Sequence, residues 1–207
     1  MKIKLFITCV SIVCFILVLS GCSDSGKEKE INQKTEFGGF ESQIKWGEHL
    51  VQIGGCEDCH TPKKMTPKGP VIDESLKLSG HPAGMPPPDV DRKEMESKGL
   101  SVTQDLTAWV GPWGISYASN ITPDETGIGL WQESNFLIAL REGKYKGMKA
   151  GRNLLPPMPW EFFKHMSDDE IKAIFAYLKS IKPIKNIVPQ AEPPVTAGQT
   201  PTETGNK

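Results

Sequence analysis

Cysteine is the first residue type to weigh, because a thiol acts as nucleophile, metal ligand or half of a disulfide according to its neighbours. The chain carries five, at Cys9, Cys14, Cys22, Cys56 and Cys59. Glu57 and Asp58 separate the last two and His60 follows at once, giving a C-x-x-C-H pattern, the attachment signature of a covalently held haem. Two thiols at this spacing meet two vinyl groups along one porphyrin edge, and the adjacent histidine reaches the iron. A thioredoxin-like dithiol would need a βαβ setting, and a zinc site would need a second ligand pair at metal spacing. Beyond Cys59 the sequence has no further cysteine, and it shows no βαβ pattern. One covalently bound haem c is the expected cofactor, with Cys56, Cys59 and His60 holding it.

A haem iron also needs a sixth ligand or an open position, and that choice separates an electron carrier from a catalyst. Met65, Met85, Met95, Met148, Met158 and Met166 all lie downstream of His60. Met158 sits in Leu154-Leu155-Pro156-Pro157-Met158-Pro159-Trp160, ten residues before Asp168, where prolines limit its backbone freedom. It is the expected distal ligand. Met148 is the runner-up, placed among Lys146, Gly147 and Lys149 without such bracing. His81 and His165 read as loop histidines bonded locally, and His49 as a surface residue of the first helix.

These residues need elements to position them. The first helix is expected from about Ser42 to Ile53, with Ile44, Leu50, Val51 and Ile53 apolar and Gly47 where a second helix can approach closely. A second is expected near Gln132 to Glu142, ended by Gly143. For the third, Ser167 and Glu170 make a capping box, and Ile171, Ile174, Phe175 and Leu178 form one apolar face that Pro183 ends. Between Thr61 and Leu130 there is no sustained periodicity, and prolines recur. Some seventy residues of loop are unusual in a compact domain unless they wrap something large. Within that stretch Thr122-Pro123-Asp124-Glu125 reads as a short capped turn, with Glu125 closing a capping box.

The chain's ends read differently. Lys2 and Lys4 precede an apolar run from Leu5 to Leu19, too short for a comfortable membrane span, that leads through Ser20 and Gly21 to Cys22. Residues 1–21 are therefore expected to be a lipoprotein signal peptide, with Cys22 the lipidated residue and the domain exported, on the periplasmic or extracytoplasmic side of a bacterial membrane. Residues 22–39 are polar and expected to be a flexible tether. Residues 40–184 are expected to form the folded domain, and 185–207, rich in Pro and Thr, a tail that is extended or disordered with its first few residues strapped against the domain. Loss of Lys2 and Lys4 with the signal takes the net charge from −1 to −3, so no basic field exists to hold nucleic acid.

The whole pattern resembles class I c-type cytochromes, and more narrowly a mono-haem relative of the cytochrome c subunits of membrane-bound alcohol dehydrogenases. Gly54-Gly55-Cys56-Glu57-Asp58-Cys59-His60-Thr61, Asn120-Ile121-Thr122-Pro123-Asp124 and Thr126-Gly127-Ile128-Gly129 with Trp131 carry it. Ala139-Leu140-Arg141-Glu142-Gly143, Met158-Pro159-Trp160 and Met166-Ser167-Asp168-Asp169-Glu170 with Tyr177-Leu178 continue it. The resemblance implies a mainly α cytochrome c fold with crossing N- and C-terminal helices, a long loop region around the haem, His60 proximal and Met158 distal. It departs in one respect: those subunits carry several haem motifs, and this sequence has one. As in related cytochromes, a loop carbonyl after the motif should accept the other ring N–H of His60, and the carbonyl of Pro70 is the expected one.

Met/His ligation suits a non-enzymatic carrier that passes single electrons between respiratory or dehydrogenase partners, with no small-molecule substrate. An electron-transfer subunit of a larger oxidoreductase is the alternative. A haem enzyme such as a peroxidase would need an open distal position.

Overall fold

In a computed structural model that describes residues 36–195, every element lies in a single packed unit beginning at Ser42. Ser42 caps helix α1, Gln43–Ile53, its hydroxyl accepting from the Lys45 N–H. Gly47, Leu50 and Val51 are buried, whereas the apolar Ile44 and Ile53 are exposed. The last helix, α6, spans Asp168–Ser180 and starts with the capping box its sequence predicts: the Glu170 N–H donates to Ser167 Oγ and the Ser167 N–H to Glu170 Oε2. Its Ile171, Ile174 and Leu178 are buried, and the half-buried Phe175 ring lies 5.4 Å from that of Phe136 on α4, Glu133–Glu142.

α1 and α6 meet at Gly47. A Cβ added there would fall 1.9 Å from the Ala173 carbonyl oxygen and 2.9 Å from Tyr177 Cβ, so the backbones approach to a distance only glycine allows. Leu50 and Val51, Phe136 and Leu140, and the buried face of α6 then close one core with Leu78 and Ile128. The N- and C-terminal helices of the domain thus pack against each other at Gly47.

The stretch from Thr61 to Leu130 corrects the sequence reading. Strands β1, Lys63–Thr66, and β2, Gly69–Ile72, form a hairpin that pairs Met65 with Pro70. A short helix α3, Arg92–Lys98, follows, and β3, Val102–Thr103, β4, Ala108–Gly111, and β5, Gly114–Tyr117, form an antiparallel sheet in that order. The described residues therefore hold a mixed content of six α-helices and two small sheets, and not a helical core with loop alone. Strands of two to four residues are too short to show alternation, and β4 is buried throughout, which removes its polar face. The turn at Thr122 also differs: Asn120 Oδ1 accepts from the Thr122 N–H and hydroxyl, and Asp124 Oδ1 from those of Thr126, so Glu125 closes no capping box.

Residues 185–195 are strapped against the domain. Asn186 donates to the Ser79 and His81 carbonyls at 2.8 Å, accepts from the Ala83 N–H, and gives its own N–H to Thr126 Oγ1. Further on, Glu192 bridges to Ile115 in antiparallel fashion, and Arg92 grips Glu192 Oε2 and the Pro193 carbonyl. Proline and threonine content signalled a lack of regular structure, but backbone groups in an extended strap still find partners. The expected signal peptide, most of the tether, and residues 196–207 lie outside the described residues. No described helix is long and apolar enough to cross a membrane.

The Gly47 contact makes a direct prediction. Gly47→Ala forces α1 and α6 apart and should destabilise the domain by about 2 kcal/mol or more, seen as a lower urea midpoint. An unchanged midpoint would contradict the packing.

Candidate functional site

Cys56 to His60 form a five-residue helix, α2, entered through Gly55 in the left-handed conformation at φ 66. Residues three and four apart on a helix share a face. Cys56, Cys59 and His60 accordingly all line one cavity of about 420 Å³, within the range of about 300–1,000 Å³ usual for cofactor sites. The two thiols are free. Burial pushes the Cys56 thiol up to about 12 and raises that of Cys59 as well, with Lys63 opposing the latter. Redox-active dithiols need the reverse, a lowered thiol pKa. Among the described residues no group of three or more His, Cys, Asp or Glu side chains is placed to hold a metal ion.

His60 is fixed by one bond. Its Nδ1 lies 2.7 Å from the Ser119 carbonyl oxygen, which can only accept, so Nδ1 carries the hydrogen. Burial lowers the imidazole pKa, opposed by that same bond and reinforced by nearby Lys63, which favours the neutral ring whose Nε2 can ligate. This corrects the assignment to Pro70. Pro70 sits exposed in the β1–β2 hairpin opposite Met65 and does not line the cavity. The structure uses the chain just beyond β5 instead, because Gly80, at φ 78, lets the two segments touch. The Gly80 N–H donates to the His60 carbonyl at 2.8 Å, and a Cβ on Gly80 would fall 2.5 Å from the Ser119 carbonyl carbon. Only the glycine in Ser79-Gly80-His81 could have signalled so close a contact.

Met158 lines the cavity from the segment that joins α4 to the short helix α5, Trp160–Phe163. That segment is held in place: Ser116 Oγ on β5 donates to the Pro156 carbonyl at 2.6 Å, and the Leu154 N–H donates to the Gly143 carbonyl. Met166 lines it too, at the residue before the Ser167 cap. The other candidates are elsewhere. Met148 and Met65 are exposed, and neither they, Met85 nor Met95 reaches the lining. His81 is fully buried away from the cavity, with Nδ1 bonded to Thr107 Oγ1 and Nε2 to the Met85 carbonyl. His165 is exposed, and half-buried His49 lies on α1 outside the lining.

Two contributions to the wall escaped sequence reasoning. Trp109 and Tyr117 come from the inserted sheet, and Ile187 to Ala191 come from the C-terminal strap. Two thiols, a neutral and oriented imidazole and a thioether sulfur around a predominantly apolar cavity match the donor set and the shape a covalent haem requires.

No family model matches the chain. Over 95 residues it is 38% identical to one of the subunits of the nicotinate dehydrogenase of Pseudomonas putida, covering 45% of this chain and 8% of that one. Over 147 residues it is 32% identical to the cytochrome c subunit of the quinone alcohol dehydrogenase of Gluconobacter oxydans, covering 70% of this chain and 23% of the relative. The cytochrome c subunit of gluconate 2-dehydrogenase of Pantoea cypripedii is 30% identical over 135 residues, 65% of this chain and 22% of that one. The chain thus spans less than a quarter of the length of these curated relatives. The long match to the alcohol dehydrogenase subunit takes in 70% of the sequence, and the chain is a c-type cytochrome relative of the cytochrome c subunits of alcohol, gluconate and fructose dehydrogenases.

Proposed function

We propose that the chain is a single-haem, lipid-anchored electron carrier on the extracytoplasmic side of a membrane, and that its redox partners include a dehydrogenase. One observation carries the reading: Cys56, Cys59 and His60 leave one short helix into one predominantly apolar cavity, with His60 Nδ1 already committed to Ser119. One C-x-x-C-H stands in these 207 residues, which supports a single haem. Relatives that are cytochrome subunits of dehydrogenases support a dehydrogenase as donor, whether the chain works as a free carrier or as a subunit of such a complex.

Cys56 and Cys59 would hold the haem through thioethers, and His60 and Met158 would bind its iron. When bound, a haem supplies one-electron chemistry at its iron. The protein's part is to keep the ligands still and the water out. Ser119 orients His60, Ser116 and Gly143 hold the Met158 segment, and Leu50, Ile128 and Leu140 give the cavity an apolar lining. A small rearrangement between oxidation states follows from such bracing, and it favours electron transfer over binding of an outside ligand. The lipid on Cys22 would keep the domain near membrane partners.

Two experiments test this. Met158→Ala should keep covalent haem but lose the weak red-end band of a sulfur-to-iron bond, lower the reduction potential and admit carbon monoxide to the reduced form. Met166→Ala, Met148→Ala and His81→Ala should leave that band in place. Loss of the band in Met166→Ala alone would move the ligand to the other sulfur at the cavity, and carbon monoxide binding by the unsubstituted protein would favour a haem enzyme. For the anchor, Cys22→Ala should release a haem-containing soluble form or block processing, read by fractionation and intact mass. Unchanged mass and membrane retention would reject lipidation.

A further inference from the structure

The cavity has a cationic lip. Lys146 and Arg152 both contribute to its lining from the segment that follows α4, and both lie over the Tyr145 ring, the guanidinium carbon at 3.7 Å from its centroid and the ammonium at 5.5 Å. Such stacking fixes a cation's position without neutralising it. Among the described residues neither Lys146 nor Arg152 has a carboxylate partner, whereas Lys149 of the same segment approaches Glu142 at 4.0 Å. Arg152 donates through one nitrogen, Nη1, to the Asn153 carbonyl, which leaves its charge uncompensated.

The segment is built to hold this lip. Lys144 bridges to Asn153, the Tyr145 N–H donates to the Arg152 carbonyl at 2.9 Å, and Leu154 closes back on Gly143. Lys146 itself is left-handed at φ 56, a conformation that costs a residue with a Cβ about 1–2 kcal/mol. Gly147 follows at φ 62, pressed so closely on α4 that a Cβ would fall 1.9 Å from the Asn135 carbonyl oxygen. Backbone strain of this kind persists where the surroundings over-determine it, often at ligand clamps.

Two cations without a carboxylate partner at the rim of an apolar cavity suit a ligand that is flat and apolar in body and anionic at one edge. We infer that Lys146 and Arg152, stacked on Tyr145, form the subsite for the carboxylates of the haem held by Cys56, Cys59 and His60, an inference that rests on that reading of the cavity. The planar guanidinium of Arg152 can engage a carboxylate through two parallel N–H donors, while Lys146 acts as a point charge. The reduced holo-protein carries one positive charge fewer, so fixed cations at the lip favour reduction. They also keep the carboxylates ionised through neutral pH.

The test uses the full-length, haem-loaded protein with Arg152→Gln, Lys146→Gln and their combination, titrated spectroelectrochemically. The double variant should retain covalent haem and the axial-ligand spectrum while its potential falls by up to about 59 mV, a tenfold loss in a one-electron equilibrium. A dependence on pH should appear between about pH 5 and 8, where carboxylates freed of their cations take up protons. Arg152→Lys should recover most of the potential, and Lys149→Gln, outside the lining, should not shift it. If the double variant loads poorly, the single substitutions carry the same comparison. A haem-loaded variant with the parent's potential and pH profile, or an equal fall in Lys149→Gln, overturns the inference. Absence of covalent haem from the unsubstituted protein overturns the reading of the cavity itself.

Discussion

The bond between His60 Nδ1 and the Ser119 carbonyl is the constraint on which the site depends. It joins the short helix of the thiols to the chain leaving the inserted sheet, and three neighbouring backbone bonds reinforce it. Gly80 donates to His60, His81 to Ala118, and Ile121 to Leu78, so the segments around residues 80 and 120 are laced together behind the imidazole. With Nδ1 spent inside the protein, Nε2 is the ring nitrogen left to the cavity. A buried histidine with one ring nitrogen turned to a cavity can serve as a ligand, whereas His81 has both nitrogens bonded within the protein.

Around that bond the wall is assembled from parts far apart in sequence. Leu50 comes from α1 and Ile174 and Leu178 from α6, the pair locked together at Gly47. Trp109 and Tyr117 come from the inserted sheet, and Ile187 from the strap. The strap is pinned at both ends, by Asn186 on one side and by Arg92 and Glu192 on the other, and the residues between line the cavity. A small domain cannot enclose a large flat cofactor with three helices alone. Here a sheet and a strap supply the remaining surface.

Much of this was legible in the sequence, for identifiable reasons. Helices α1, α4 and α6 announced themselves because each buries one face and is capped by residues with unambiguous chemistry, Ser42, Gly143 and the Ser167–Glu170 pair. Of the five residues named as holding the cofactor, Cys56, Cys59, His60 and Met158 line the cavity and Pro70 does not. What was missed involves pairing between distant segments. The acceptor for His60 was sought at Pro70, in a loop near the motif in sequence, yet a main-chain carbonyl has no side-chain signature, and Ser119 could be found only from the fold. The sheets were too short to show a period, and helix α3 was passed over although Asp91 and Gly99 cap it, because it buries no apolar face.

The central claim is that Cys56 and Cys59 are both consumed in attaching one haem, with the cavity of the domain built around it. Intact-mass analysis of the full-length protein purified from cells, before and after alkylation under denaturing and reducing conditions, tests this most directly. The account predicts a mass increased by that of one haem and no alkylation of Cys56 or Cys59. A mass without haem, or two alkylated thiols in the segment from Gly55 to His60, would contradict it.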